Sequence, residues 1–161
     1  MQIRPAEEQD IPAIHHLLEQ VSAIHANKRP DLFVPNSVKY TGEDLKVLLR
    51  DPKRPIFVAL DEDGSVVAHA FCEFQNNTGA NNLTRIKTLY LDDLCVDEKS
   101  RGKGIGKALY EYVADFAQRE GCYRLTLHAW TLNPEAVQFY QHLGLQTYCL
   151  CMEQILNKDN H

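Results

Sequence analysis

One junction in this sequence joins an extended run, a glycine-rich turn and a helical pattern. The run LTRIKTLYLDDLCV (83–96) leads into KSRGKGIG, whose glycines at 102, 104 and 106 alternate with cations. Apolar residues then recur at the spacing of a helix that ends at Gly121, namely Ile105, Leu109, Val113, Phe116 and Ala117. Backbone N–H groups at a helix start are unpaired and carry the positive end of the helix dipole. The junction therefore predicts an anion site, with phosphate as its natural guest.

Two common phosphate-binding motifs do not fit this turn. A dinucleotide fingerprint, GxGxxG, would need a third glycine at Lys107 or at Leu109. A P-loop would need glycine at Arg101 and a serine or threonine at Ala108. What remains is the pattern Arg101-x-x-Gly104-x-Gly106 placed directly after a strand.

The other segments alternate between short strands and helices. Strands are predicted at 2–6, 56–60, 65–75, 83–96, 122–130 and, as a closing strand or pair, 145–156. One helix is capped by Asp10, a shorter one begins at Thr41 and stops at Pro52, and the last runs from Asn133 to Gly144. The segment NNTGANN (76–82) is predicted to be a loop. No repeat or linker divides the chain, so one domain is expected across residues 1–161.

Composition limits the classes of function. With 44% apolar and 24% charged residues the sequence is typical of a globular protein, and no uninterrupted apolar run approaches the roughly 18 residues of a membrane span. The N-terminus lacks the features of an export signal, so a cytoplasmic location is expected. The net charge of −5 disfavours a nucleic-acid partner and suits cationic substrates. The five cysteines form no CxxC pair and the histidines no ligand spacing, so no metal is expected.

Three regions together resemble the GCN5-related N-acetyltransferase (GNAT) family. The glycine turn resembles its pyrophosphate loop, NPEAVQFY (133–140) with Gly144 resembles its second signature, and LYLDDLCV (89–96) resembles its central strand. Glu98 stands where many members have a proline, which stiffens the turn. The resemblance implies an α/β (α+β) acyl-CoA N-acyltransferase fold, with a mixed central sheet of about six or seven strands flanked by about four helices.

The resemblance also implies acetyl-CoA as cofactor. Backbone N–H groups of the turn would hold its pyrophosphate, with nearby positive charge from Arg101, Lys103 and Lys107. The pantetheine arm would lie along the central strand, with an N–H at Cys95 donating to the thioester carbonyl. Asn133 would bind the pantetheine amide, cap its helix, or do both. The expected cofactor-binding residues are Leu94, Cys95, Val96, Arg101, Gly102, Lys103, Gly104, Ile105, Gly106, Lys107, Asn133, Ala136 and Tyr140.

Acyl transfer to an amine needs a base, because an amine at neutral pH is mostly ammonium. Asp92 and Asp93 lie beside the expected thioester position, and the central strand resembles that of diamine acetyltransferases. The resemblance favours Asp92 as base, directly or through water, and leaves Asp93 as the second candidate or as a substrate-binding acid. Tyr140, seven residues after Asn133, is the expected general acid for the leaving thiolate.

The expected function is acetyl transfer from acetyl-CoA directly to a primary amine of a small cationic acceptor, with a polyamine favoured. The candidate acceptor-binding residues are His25, Asp31, Phe33, Asp92 and His128. An aminoglycoside, a protein N-terminus, a non-catalytic acyl-CoA sensor and a nucleotide-binding module remain alternatives, since the shared motifs do not select an acceptor. A homodimer is expected, because the apolar closing segment could pair or exchange with a second copy.

Overall fold

The structure is a computed structural model that describes residues 1–77, 79 and 81–157. The helices of the described part are α1 (Ile11–Lys28), α2 (Gly42–Leu48), α3 (Ile105–Arg119) and α4 (Pro134–His142). Its strands are β1 (Gln2–Pro5), β2 (Ile56–Leu60), β3 (Val66–Asn76), β4 (Lys87–Val96) and β5 (Arg124–Leu127). Two residues of the predicted loop at 76–82, Thr78 and Ala80, lie outside the described residues. None of the helices in the described ranges combines the length and apolar character needed to cross a bilayer.

The five strands form one sheet in the order β1-β2-β3-β4-β5. All neighbouring pairs are antiparallel except β4 and β5, which are parallel. The α+β class, the mixed sheet and the four helices predicted from the sequence are confirmed. The expected number of strands, six or seven, is wrong for the described part of the chain, which has five.

Helices cover both faces of the sheet, and β2 shows why. All five residues of IFVAL are buried, because alternate side chains of a strand point to opposite faces. Phe57 and Ala59 pack in the cluster that contains the apolar stripe of α3. Ile56, Val58 and Leu60 pack in a second cluster with residues of α1 and α2. The sheet is therefore the middle layer of the fold, and its α1–α2 face and α3 face have separate apolar cores.

The two N-terminal helices begin differently from each other. Thr41 caps α2 as predicted: its side chain accepts from the Asp44 N–H, and the Asp44 side chain accepts from the Thr41 N–H. Asp10 does not cap α1 with its side chain, contrary to the prediction. Its carboxylate instead accepts hydrogen bonds from Arg4 at 2.7 and 3.0 Å and from the Glu7 N–H.

The prediction of a closing strand at 145–156 is wrong for a single copy of the chain. The described residues 145–157 adopt no regular structure, and none of them bonds to β5. A strand needs a neighbour to pair with, and no described strand forms backbone hydrogen bonds with this segment. Its apolar side chains are exposed, with Leu150 at 72% and Met152 at 88%. For the same reason β5 is shorter than the predicted strand at 122–130.

Candidate active site

The two parallel strands of the sheet separate halfway along β4. Pairing joins Thr88–Leu91 of β4 to Arg124–Leu127 of β5 and ends there. β4 continues to Val96, so its last five positions have no strand beside them on the β5 side. The fork includes Leu94, Cys95 and Val96, the residues along which the family resemblance places the pantetheine arm.

The register of β4 against β3 determines which backbone groups face the fork. Antiparallel partners alternate between pairs that exchange two hydrogen bonds and pairs that exchange none. The Asp97 N–H donates to the Val67 carbonyl at 2.8 Å, so Cys95, two residues earlier, also bonds toward β3. Leu94 and Val96 therefore direct their backbone groups into the fork, whereas the Cys95 N–H does not.

A glycine turn closes the base of the fork. Gly102 and Gly104 have φ angles of 76° and 78°, a backbone conformation that residues other than glycine rarely adopt. The first intrahelical N–H of α3 is that of Ala108, which donates to the Gly104 carbonyl at 3.0 Å. The preceding amides, from Ile105 to Lys107, have no acceptor within the helix. The turn thus directs several N–H groups outward at the positive end of α3, as an anion site requires.

Side chains around the turn hold it in place and supply positive charge. The Arg101 guanidinium donates to the Val96 carbonyl at 3.1 Å, which ties the turn to the end of β4. Lys103 and Lys107 are exposed. A Cβ at Gly106 would lie 3.3 Å from Phe139 of α4 and 3.4 Å from Val96, so the start of α3 packs closely between these elements.

Helix α4 brings Asn133 and Tyr140 to the other side of the fork. The Asn133 side chain accepts from the Ala136 N–H at 3.4 Å, so the predicted helix cap is confirmed. Tyr140 is partly buried against the core of the α3 face. Burial raises the pKa of its phenol, and the nearby charge of Asp93 raises it further. The phenol is therefore neutral at physiological pH and can donate a proton.

The two adjacent acids of β4 have different partners. The register passes from Phe71–Asp93 to Cys72–Leu91, which leaves Asp92 as the extra residue of a β-bulge. The Asp93 carboxylate lies 2.5 Å from Nε2 of His69. The Asp92 carboxylate pairs at 2.5 Å with the ammonium of Lys39, which lies between α1 and α2.

Lys39 and His69 were not identified from the sequence. Burial lowers the pKa of Lys39, but the hydrogen bond and the charge of Asp92, together with Tyr40, outweigh burial, so the pKa of Lys39 is raised. Both contacts join residues far apart in the chain, so no local spacing pattern could have revealed them. The histidine in the apolar strand β3 was the single available signal, since a fully buried histidine normally has a partner.

An aromatic cleft lies between the end of α1 and the loop before α4. Its lining includes Ile24, His25, Phe33, Trp130, Leu132 and Asn133. The Phe33 ring lies 4.9 Å from the His25 ring and 5.6 Å from Trp130. Burial lowers the pKa of His25, while the charge of Asp93 opposes this. His25 and Phe33 thus come together as predicted, and Trp130 joins them without having been predicted.

Two other predicted acceptor residues do not line this cleft. The Arg29 guanidinium binds Asp31 through two hydrogen bonds, at 2.8 and 2.6 Å, and also pairs with Glu153. His128 is exposed and lies 3.3 Å from the Tyr90 hydroxyl. Within residues 1–77, 79 and 81–157 no cluster of three or more His, Cys, Asp or Glu side chains could hold a metal ion.

Comparison with known proteins agrees with this geometry. A streptothricin acetyltransferase from Streptomyces lavendulae is 33% identical over 55% of this chain and 42% of its own length. A spermine/spermidine N(1)-acetyltransferase from Bacillus subtilis (strain 168) is 30% identical over 72% of this chain and 78% of its own. The chain spans well under half the length of the first curated relatives it matches.

Likeness to solved structures extends over almost the whole chain. A mutant of the BH1408 protein from Bacillus halodurans superposes with a TM-score of 0.93 and 28% identity, covering 98% of this chain and 100% of that one. The profile of the Acetyltransferase (GNAT) family matches residues 18–145. The forked sheet, the glycine turn and these matches together show that the chain belongs to the GNAT acetyltransferase family.

Proposed function

We propose that this chain transfers the acetyl group of acetyl-CoA directly to a primary amine of a small cationic molecule, with a polyamine as the favoured acceptor. The observation that carries the proposal is the fork between β4 and β5, which opens beside the outward-facing amides at the start of α3. Family membership supports acetyl transfer. The polyamine preference has support from the spermine/spermidine relative.

The residues at the fork fit acetyl-CoA. Acetyl-CoA would supply the activated acetyl thioester. The amides from Gly102 to Lys107 suit its pyrophosphate, because unpaired N–H groups at a helix start bind anions. The backbone groups of Leu94 and Val96, which face the fork, suit the pantetheine arm and the thioester carbonyl. We therefore assign the carbonyl donor to one of these two residues in place of Cys95.

We infer that Asp93 is the base and Tyr140 the general acid. Asp92 was the first candidate from the sequence, but its carboxylate pairs with Lys39. The charge of Asp93 acts on both His25 and Tyr140, which indicates that Asp93 lies between the aromatic cleft and α4. The neutral phenol of Tyr140 can protonate the leaving thiolate.

The acceptor side suits a cation. Phe33 and Trp130 offer aromatic faces, which attract alkylammonium groups. Asp92 already binds one primary ammonium, that of Lys39, so its carboxylate suits a second amino group of a polyamine that displaces this lysine. Asp92 would then bind the acceptor while Asp93 removes the proton.

A panel of amines with acetyl-CoA tests the proposal. Spermidine, spermine, lysine analogues, aminoglycosides and an N-terminal peptide should be compared by following release of free thiol. We expect turnover with polyamines at kcat/KM of about 10⁴ M⁻¹s⁻¹ or more, within the usual enzyme range. A folded sample that binds CoA but releases no thiol above background with any amine would instead indicate an acyl-CoA sensor.

We also propose that the protein is a homodimer, with the segment 145–157 as interface. This segment passes the start of β5, where the Arg124 guanidinium lies 5.3 Å from the Tyr148 ring, and reaches Arg29 at the end of α1. It therefore contacts the start of β5 without backbone hydrogen bonds to it. A two-fold axis would place the same segment of a second copy antiparallel to this one, so that each segment supplies the backbone partner that the other lacks.

The composition of the segment favours a second copy over another partner. Glu153 is the single charged residue within 145–157, and it pairs with Arg29 of its own chain, so identical segments can pair without facing like charges. Its exposed large apolar residues are Tyr148, Leu150, Met152, Ile155 and Leu156. Homodimer interfaces are more apolar than the rest of a protein surface, so these side chains suit one.

Substitution of Leu150 by aspartate tests this interface. Light scattering should give twice the chain mass for the wild-type protein and the single chain mass for Leu150→Asp, because a buried unpaired charge opposes pairing. Val47→Asp on α2 is the matched control, since Val47 is 71% exposed and Leu150 is 72% exposed. A monomeric wild-type protein at micromolar concentration would contradict the proposal. The cytoplasmic location and the single domain across 1–161 stay predictions from the sequence.

A further inference from the structure

A fully buried histidine lies directly beside the proposed base. His69 of β3 has no exposed surface and pairs with Cys95 of β4. Asp93 pairs with Phe71, two residues after His69 on β3. Both side chains thus lie on the α1–α2 face of the sheet. Nε2 of His69 is 2.5 Å from Oδ2 of Asp93, a short hydrogen bond to a carboxylate that is itself only 19% exposed.

The other nitrogen of this ring has no partner. Nδ1 of His69 is buried and makes no hydrogen bond to any residue in the described part of the chain. A buried polar atom without a partner destabilises the folded state, so a strand position of this kind is normally apolar. A proton on Nδ1 would be a buried donor without an acceptor. The geometry therefore places the ring proton on Nε2, directed at Asp93.

Packing fixes the orientation of this ring. The Phe71 ring meets the His69 imidazole edge to face, with 4.9 Å between centroids and 87° between planes. Tyr40, from the segment between α1 and α2, stacks on the Phe71 ring, with 5.6 Å between the ring centroids. The imidazole is fully buried and in contact with Phe71, which Tyr40 in turn covers, so its bond to Asp93 is part of the core.

From these contacts we infer that His69 is a positioning residue for Asp93. Its Nε2–H holds Oδ2 and so fixes the carboxylate in the orientation in which Oδ1 takes a proton from the acceptor amine. This inference rests on the proposed function, in which Asp93 is the base. His69 touches neither substrate in this arrangement and acts through Asp93 alone.

A double-mutant cycle tests the inference. Four proteins are compared, namely wild type, His69→Leu, Asp93→Asn and the double variant, with kcat and both KM values measured for each. His69→Leu should lower kcat about tenfold or more and leave the KM for acetyl-CoA within about twofold, because only the base is displaced. In the Asp93→Asn background the same change should alter kcat by less than about twofold, because residues that act as a unit are not additive.

Conservative variants separate positioning from general stability. Glutamine places its amide nitrogen near the position of Nε2, so His69→Gln should retain kcat within about threefold, whereas the shorter His69→Asn should resemble His69→Leu. Val113→Ala, at a fully buried position of α3, is the control for lost stability, and its kcat should not fall. Equal loss of kcat in His69→Gln and His69→Asn, or additive effects in the cycle, would overturn the inference.

One readout does not depend on turnover. Nitrogen-15 NMR of the histidine rings should show His69 neutral and protonated on Nε2, with a downfield Hε2 signal that is lost in Asp93→Asn. If the amine panel gives no turnover but this signal is present, the proposed function fails while the assigned contact stands. A wild-type ring protonated on Nδ1, or on both nitrogens, would overturn the inference whatever the activity.

Discussion

Asp93→Asn is expected to lower kcat for acetyl transfer by about two orders of magnitude or more, the usual contribution of a general base. Asparagine keeps the shape of the side chain, so the fold and the KM for acetyl-CoA should change little. The neutral amide cannot accept the proton of the acceptor ammonium. Steady-state kinetics with saturating acetyl-CoA and the best amine of the panel measure the effect.

Asp92→Asn is the matched comparison, because the two acids are neighbours and differ in their partners. If Asp92 binds the acceptor, its loss should raise the KM for a polyamine about tenfold and lower kcat by less than about fivefold. A larger fall in kcat for Asp92→Asn than for Asp93→Asn would return the role of base to Asp92, as the sequence alone suggested.

Gly104→Ala is expected to raise the dissociation constant of acetyl-CoA about tenfold or more, equivalent to roughly 1.4 kcal/mol of binding free energy. The φ angle of Gly104 is 78°, so a Cβ there forces the turn toward another conformation and moves the amides that face the anion. Nothing lies within 4 Å of the added Cβ, which excludes a steric clash as the cause. Isothermal titration calorimetry measures the change.

Gly64→Ala provides the control, since Gly64 has a φ angle of 83° and equally open surroundings in the turn between β2 and β3. Both variants should lose about 1 to 2 kcal/mol of unfolding free energy through the same backbone strain. Only Gly104→Ala should bind acetyl-CoA more weakly. Equal affinity in the two variants would remove the glycine turn from the cofactor site.

The glycine junction could be predicted because its signals are local. Glycine spacing, apolar periodicity and the neighbouring signature at Asn133 each extend over a few residues, and the structure assembles them as expected. The cap at Thr41 is a local signal of the same kind. Local chemistry therefore sufficed to predict the glycine turn before α3 and the helix caps at Thr41 and Asn133.

The acceptor side could not be predicted in the same way, because its contacts join distant residues. Lys39 is 53 positions from Asp92, and His69 is 24 positions from Asp93. The sequence therefore identified the pair of acids but could not divide their roles. Asp10 failed as a predicted cap for another reason, since its carboxylate binds Arg4, six positions away, instead of the first turn of α1.

The prediction of a closing strand at 145–156 failed for a different physical reason. Apolar and β-branched residues indicate an extended conformation, but a strand exists only where another strand supplies hydrogen bonds. Residues 145–157 have the pattern without a partner in the described chain. Sequence periodicity reports the tendency of a segment and says nothing about which molecule provides its neighbour.

The bulge at Asp92 has a consequence for which sequence changes β4 can accept. Leu91 and Asp93 lie opposite the consecutive residues Cys72 and Phe71, so the ladder on either side is aligned as if Asp92 were not there. Replacing or deleting this one residue would leave every other side chain of β4 on its own face. With the roles proposed above, in which Asp92 binds the acceptor and Asp93 removes the proton, a change at position 92 would alter the acceptor contact and leave Asp93 and the glycine turn in place.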